Sequence, residues 1–379
     1  MKIGILTLPI STNYGGILQA YALQMVLKKM GHDTWLINRR RTPISSRYYI
    51  IEKSKQCIKK CLFGSGWPVL SEKERILQEQ MTSQYTRPFI EKNIQPQTIV
   101  YDTSDKLRMV TDYKFDAYVV GSDQVWRPEY TSCIYDFFLG FLRETESAKR
   151  ISYAASFGLE TWAFTPKQTK KCKCLSKLFT AISVREAAAV SMCEKYFGVN
   201  AVHVLDPTML LSDKDYLQLL SCIETKSDSG GLLSYILDRT ELKNSVVEKI
   251  SNTFGYQSFE VNSRTEDVYA TLEDRIAPPV ENWIRGFFNA KYVITDSFHA
   301  CVFAILFNKP FIVYGNRDRG MVRFTSLLSK FNLEDRLITS LGELTEDKIT
   351  RHIEWSEVND ILNKERAFSL SFLSQSLTN

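Results

Sequence analysis

Residues 1–37 read MKIGILTLPISTNYGGILQAYALQMVLKKMGHDTWLI. A short apolar run at 2–7 gives way to a turn of small and polar residues at 11–16, a helix-forming stretch at 16–30 and a second apolar run at 34–37. Strand, turn, helix and strand in that order make a βαβ unit, in which the two strands lie parallel. The alternation resumes further along, with strands at 117–121, 151–156, 181–184 and 201–205 and helices at 165–179 and 186–197. A second series follows, with strands at 231–237, 257–261, 292–295 and 311–314 and helices at 241–253, 280–289 and 298–307. Parallel sheets with crossover helices produce this pattern, so the chain is expected to be α/β with two consecutive Rossmann-like domains and a cleft between them.

A chain of 379 residues exceeds the size at which one core usually stops growing, which agrees with two domains. The boundary is expected near 206–215, where Pro207 halts regular structure and Ser212 suits a helix cap. This divides the chain into 1–210, 211–350 and a helical tail, 351–379, expected to cross back over the first domain. Residues from 39 to about 113 look like an irregular insertion in the first domain, partly helical at 71–82. No internal repeat is visible.

Apolar content of 44% with 24% charged residues is that of a soluble globular protein. No run of eighteen apolar residues and no cleavable leader is present, so a cytoplasmic location is expected. The eight cysteines form no C-x-x-C pair, and Cys172 and Cys174, in KKCKCLSK, have no second pair nearby; free thiols and no metal are expected. A net charge of +5 without a basic stripe excludes nucleic acid as the expected partner. One segment is locally basic: between residues 39 and 60 lie Arg39, Arg40, Arg41, Arg47, Lys53, Lys55, Lys59 and Lys60, with Tyr48, Tyr49, Ile50, Ile51 and Ile58 among them. It reads first as a solvated insertion, and second as a peripheral contact with the inner face of a membrane, since basic and apolar residues together suit anionic headgroups.

Ligands of open α/β sheets collect at the carboxyl ends of the strands. In VITDSFHACVFAILFNKPF (293–311), a cap at Asp296 or Ser297 opens a helix that is apolar except for His299 in its first turn, where free N–H groups welcome an anion. The alternative is a core histidine bonded to a carbonyl. Arg185, in AISVREAAAV, is expected to open a helix and offers a planar fork for carboxylate or phosphate; a salt bridge with Glu186 explains it equally well. The loop YGNRDRGMVRF supplies Arg317, Arg319 and Arg323 as a further anion cradle or lid. Gly15 and Gly16 form a close-approach turn, but TNYGGILQAY is not G-x-G-x-x-G, and no nicotinamide site is expected. Asp123, in VVGSDQVW, either contacts a sugar hydroxyl or, with Ser122, caps a helix. Asp213 and Asp215 mimic a D-x-D metal motif, but Ser212 with Asp215 makes a capping box.

In this order the segments GILTLPISTNYGGILQAYAL, FDAYVVGSDQVW, RISYAASFG, ISVREAAAV, VLDPTMLL and ITDSFHACVFAILFNKPF resemble the polysaccharide pyruvyl transferase family. The resemblance implies a glycosyltransferase-B-like fold, with the acceptor on the first domain and phosphoenolpyruvate on the second. It further implies a cyclic pyruvate ketal as product, on capsule, exopolysaccharide or cell-wall polymer, with a lipid-linked oligosaccharide as acceptor and no cofactor. By the same resemblance His299 is the catalytic residue and Arg185 a donor contact. The family's Arg-Leu-His falls here on Ser297, Phe298 and His299, so one cation is missing and Arg317, Arg319 or Arg323 is expected to replace it. Two rivals share the architecture. One is a nucleotide-sugar glycosyltransferase holding ribose through Glu266, Asp267 or Glu273, and the other is a non-catalytic binding protein.

Overall fold

The computed structural model describes residues 1–63, 69–220, 230–265, 267, 269–315 and 320–378. Glu266, Arg317 and Arg319, singled out above, lie outside them. Two wholly parallel sheets are present. The first comprises β1 (Lys2–Leu6), β2 (Asp33–Leu36), β3 (Ala117–Val120), β4 (Lys149–Ala155), β5 (Ala181–Val184) and β6 (Val202–His203), in the order β2-β1-β3-β4-β5-β6. The second comprises β7 (Leu232–Tyr235), β8 (Ser258–Phe259), β9 (Tyr292–Thr295), β10 (Phe311–Tyr314) and β11 (Leu337–Ile338), in the order β11-β10-β9-β7-β8. Read from the β8 edge, the second order, 2-1-3-4-5, repeats the first, which adds β6 as a sixth strand. Each sheet therefore reverses direction once, between β1 and β3 and between β7 and β9, and a crevice opens at such a point.

Helices cover both faces of each sheet, which is why strands such as Ala117–Val120 and Leu232–Tyr235 are buried at every position. One apolar cluster runs through both domains, from Ile3 and Ile17 to Trp283, Phe303 and Leu373, so the interface between the sheets is itself core. The chain's last helix, Trp355–Thr378, returns to the first sheet. Leu205 N–H donates to Ser369 Oγ at 3.0 Å, Lys149 Nζ to the Leu377 carbonyl at 2.7 Å, and Arg366 Nε to the Met209 carbonyl at 2.8 Å.

The stretch from 39 to 113 departs from expectation. It holds helices Ser46–Phe63, Glu72–Thr82, Arg87–Asn93 and Ser104–Leu107 and a 3₁₀ segment, Arg108–Tyr113. Its later part is core: Phe89, Ile94, Tyr101, Leu107 and Val110 are buried. Arg39 is not a solvated base. It is buried, with Nε 3.0 Å from Asp136 Oδ2, which also accepts from Ser104 Oγ at 2.9 Å. High charge density hid the apolar residues that fill the gap beside β2.

Candidate active site

The two reversal points face each other across a cleft of about 1420 Å³. Its first-domain wall includes Asn13, Gly15, Gly16, Asp123 and Gln124, and its second-domain wall Leu237, Asp238, Ser297, Phe298, His299 and Arg323. Thus Gly15, Gly16, Asp123, Ser297, Phe298, His299 and Arg323, all picked out above, line one space. Arg185 does not.

Helix Tyr14–Lys29 begins at the end of β1, with Asn13 Oδ1 accepting the Gly16 N–H at 3.0 Å. A side chain at Gly15 would force the imidazole to move, because a Cβ there would lie 2.0 Å from His299 Nδ1. Glycine allows the first domain's leading helix to close directly on the imidazole. Tyr14 fastens the same turn to the second domain, donating to the Pro278 carbonyl at 2.9 Å and stacking on Trp283. Gln19, buried, donates to Thr7 Oγ1 and accepts from Ser122 N–H, both at 2.9 Å, which ties the loop after β3 to this helix.

No helix starts at Asp123, so the capping alternative fails. Asp123 has φ of +70° and its carbonyl accepts the Ser156 N–H at 3.0 Å, a loop geometry that presents the carboxylate to the cleft. At the end of β9, helix Phe298–Leu306 is buried throughout, as its composition predicts. Ser297 occupies the cap position without a side-chain cap bond. Asp296 does something else: it accepts from Leu237 N–H at 2.7 Å and Asp238 N–H at 3.1 Å and pairs with buried Lys243 at 2.6 Å. This pins the loop after β7 to the loop after β9, directly below His299.

Beneath His299 lies a buried charge cluster. Asp206 Oδ2 is 2.8 Å from Arg185 Nη1, 3.3 Å from Ser122 Oγ and 3.5 Å from His299 Nε2; Oδ1 accepts from Thr208 N–H and Oγ1. Arg185 also faces Glu186 at 3.4 Å and Asp123 at 3.5 Å, and its guanidinium lies 4.5 Å from the centre of the Phe298 ring. Arg185 precedes the helix it was expected to open, which starts at Ala187. Its fork, expected to grip a donor, is occupied by protein carboxylates and covered by Phe298.

Burial alone would raise the Asp206 carboxyl, yet His299 and Arg185 hold it well below the carboxylate range. Burial also opposes the charge on Arg185, but Asp206, Glu186 and Asp123 outweigh it and strengthen the guanidinium. Glu186 goes the other way, raised chiefly by burial although Arg185 and Ser156 pull against the rise. Half-buried Arg323, 5.8 Å from the Phe298 ring, is lowered to about 10 by burial and by the neighbouring Arg185 charge.

Asp206 was missed as a site residue, although VLDPT places it just beyond β6, where the strand-end rule applies. Asp296, just beyond β9, was read only as a cap, and its pairing with Lys243 carries no such signal, because it spans 53 residues. No group of three or more metal-ligating side chains is found among the described residues.

Two parallel Rossmann-like sheets with their reversal points turned toward one cleft define a glycosyltransferase-B-like α/β protein. The chain belongs to the polysaccharide pyruvyl transferase family, whose model matches residues 13–319. In structure it is similar to UDP-GlcNAc 2-epimerase from Neisseria meningitidis bound to UDP-GlcNAc, with TM-score 0.51 and 12% identity over 100% of this chain and 99% of that one. The epimerase from Methanocaldococcus jannaschii gives TM-score 0.51 and 13% identity over 97% and 94%. At such identities the likeness is one of fold. No curated protein matches the chain in sequence.

Proposed function

We propose that the protein transfers pyruvate from phosphoenolpyruvate to a pair of sugar hydroxyls, forming a cyclic ketal on a bacterial surface polysaccharide precursor, with His299 as the proton donor. The observation that carries this reading is the place of His299. It stands on the cleft wall at the amino end of a buried helix, against side-chain-free Gly15 and 3.5 Å from the Asp206 carboxylate.

Ketal formation starts with a proton moving to the methylene carbon of the enol phosphate, leaving oxocarbenium character at C2. One hydroxyl adds to C2 and the C–O bond to phosphate breaks. The second hydroxyl then adds to the new oxocarbenium and closes the ring. Of the two hydroxyl protons, one returns the histidine to its starting state and the other leaves with phosphate. A histidine suits this exchange at neutral pH, and general-acid catalysis contributes ~10²–10⁴ in rate.

The anionic donor is held in this reading by Arg323 and by the free N–H groups where helix Phe298–Leu306 begins, with Ser297 and Phe298 shaping the pocket. Arg323 thereby takes the place of the arginine that the family carries where this chain has Ser297. Arg185 acts through Asp206, holding the carboxylate that orients His299. Asp123, on the same wall as Gly15 and Gly16, faces the acceptor. The competing reading, nucleotide-sugar transfer, rests on Asp267 and Glu273, which line the second-domain wall.

Incubation with phosphoenolpyruvate and a lipid-linked glycan tests the proposal through phosphate release and a pyruvylated product. Turnover of a nucleotide sugar in place of phosphoenolpyruvate decides for the competitor. Stoichiometric binding with no turnover of either decides for a binding protein.

A further inference from the structure

We infer that the helices Ser46–Phe63 and Glu72–Thr82 form a docking surface for an anionic lipid bilayer, placed at the rim of the cleft. The surface does not depend on which reaction the cleft performs. In the first helix the less exposed positions Tyr49, Glu52 and Gln56 mark the inward side, with Gln56 Oε1 accepting the Val69 N–H. The outward side carries Arg47, Ile50, Ile51 and Ser54, at helical spacing. Ile50 is 62% exposed and Tyr48 56%.

The second helix repeats the arrangement. Its capping box at Ser71 and Glu74 starts it firmly, and Ile76, Leu77 and Met81 then follow at helical spacing, all exposed, with exposed Tyr85 in the turn beyond the helix. Isolated exposed apolar residues are ordinary, but two apolar stripes within one insertion are not. The chemistry around them selects the occupant: Arg40, Arg47, Lys53 and Lys55 are exposed beside the first stripe, and among the described residues only Lys55 of these has an ion pair, with Glu52. Basic residues beside apolar ones match the headgroup and acyl boundary of an anionic membrane, where electrostatic attraction and apolar burial add. No helix among the described residues is long and apolar enough to span the bilayer, so the contact is peripheral.

The insertion is joined to the cleft. Gln78 Oε1 accepts from Arg275 Nη1 at 3.2 Å and the Thr82 carbonyl from Ala277 N–H at 2.9 Å, and Ile276 between them is a cleft wall. Arg41, leading into the first helix, is another. A substrate tethered to lipid would meet the cleft at this edge. Arg39 takes no part, being buried against Asp136.

Vesicle sedimentation tests the inference. Wild-type protein should pellet at low salt with vesicles of phosphatidylglycerol in phosphatidylcholine and stay in solution with phosphatidylcholine alone. Arg40→Gln with Arg47→Gln should weaken partitioning by about 30-fold, and Ile50→Ser with Ile51→Ser by roughly tenfold or more. Both double variants should keep wild-type melting temperature and wild-type turnover of a soluble acceptor. Wild-type protein that ignores phosphatidylglycerol at low salt overturns the inference, as does binding that neither variant reduces. A dimer in solution whose formation the Ile50 and Ile51 changes abolish, without vesicle binding, would assign the surface to a second copy of the chain instead.

Discussion

Arg39 and Arg185 are equally buried and both are paired, yet they sit in opposite kinds of surroundings. Arg39 meets one carboxylate, Asp136, which also accepts from Ser104, and none of the three lines the cleft. Arg185 meets three, Asp123, Glu186 and Asp206, at the carboxyl ends of β3, β5 and β6, and one of them reaches His299 from the other domain. The first cluster is balanced in charge and closes on itself. The second has an excess of carboxylate facing a titratable ring. Burial and pairing are therefore common to both, and what separates the cluster proposed to be functional from the structural one is imbalance at the mouth of the sheets.

Truncating each arginine tests this contrast most strongly. Arg39→Met strands Asp136 in the core and should lower unfolding free energy by ~3–5 kcal/mol, with activity per folded molecule unchanged. Arg185→Met strands three carboxylates, so it should cost more than Arg39→Met in denaturant titrations and abolish turnover as well. Equal activity losses in the two variants would erase the distinction.

His299→Gln keeps volume and should leave the melting temperature near wild type while turnover falls ~10²–10⁴-fold. Retention of more than about a tenth of kcat, an effect of at most about 1.4 kcal/mol, rules out the proton-donor role.

A milder change asks whether Arg185 touches the donor or only holds Asp206. Arg185→Lys keeps the charge and loses the fork. If it is a positioning residue, kcat should drop by roughly tenfold, ~1.4 kcal/mol, with the donor KM little altered. A large rise in donor KM at full kcat would show instead that the guanidinium grips the donor.

An effect seen only as pH is varied concerns His203, whose Nε2 lies 2.9 Å from the Arg185 carbonyl and for which Arg39 has no counterpart. Burial, helped by the nearby Lys330 charge, lowers its pKa to about 4. The unfolded chain takes up this proton near ~6.5, so between that pH and about 4 the unfolded state binds more protons and stability falls as pH falls. His203→Gln should flatten the stability profile over that window only. An unchanged slope means that other groups govern it.

The two series of strands and helices, apart from helix Met321–Lys330 and β11, were legible because period and punctuation are local properties: apolar runs of four to seven residues broken by Gly, Pro, Asn and Ser have few other solutions. The buried helix at Phe298 and the capping box at Ser212 were legible for the same reason, and both stand as read. The family, too, was legible, through short segments in fixed order. Residues 39–113 were not, since their apolar positions are scattered among charges and acquire a face only once β2 and the neighbouring helices provide one.

By itself, the sequence determined which residues stand at strand ends, because the strand-end rule needs only the position of each strand along the chain. Tertiary structure alone decided which of these residues meet. Asp206 against His299, Gly15 against the same ring and Lys243 against Asp296 are pairings across long separations, fixed by how two sheets of like topology turn toward each other. It also decided that Arg185 faces inward and Arg323 the cleft. An arginine's charge is written in the chain, but its partner is whichever group the packing brings within a few ångströms, and in a low-dielectric interior that distance determines what the charge can do.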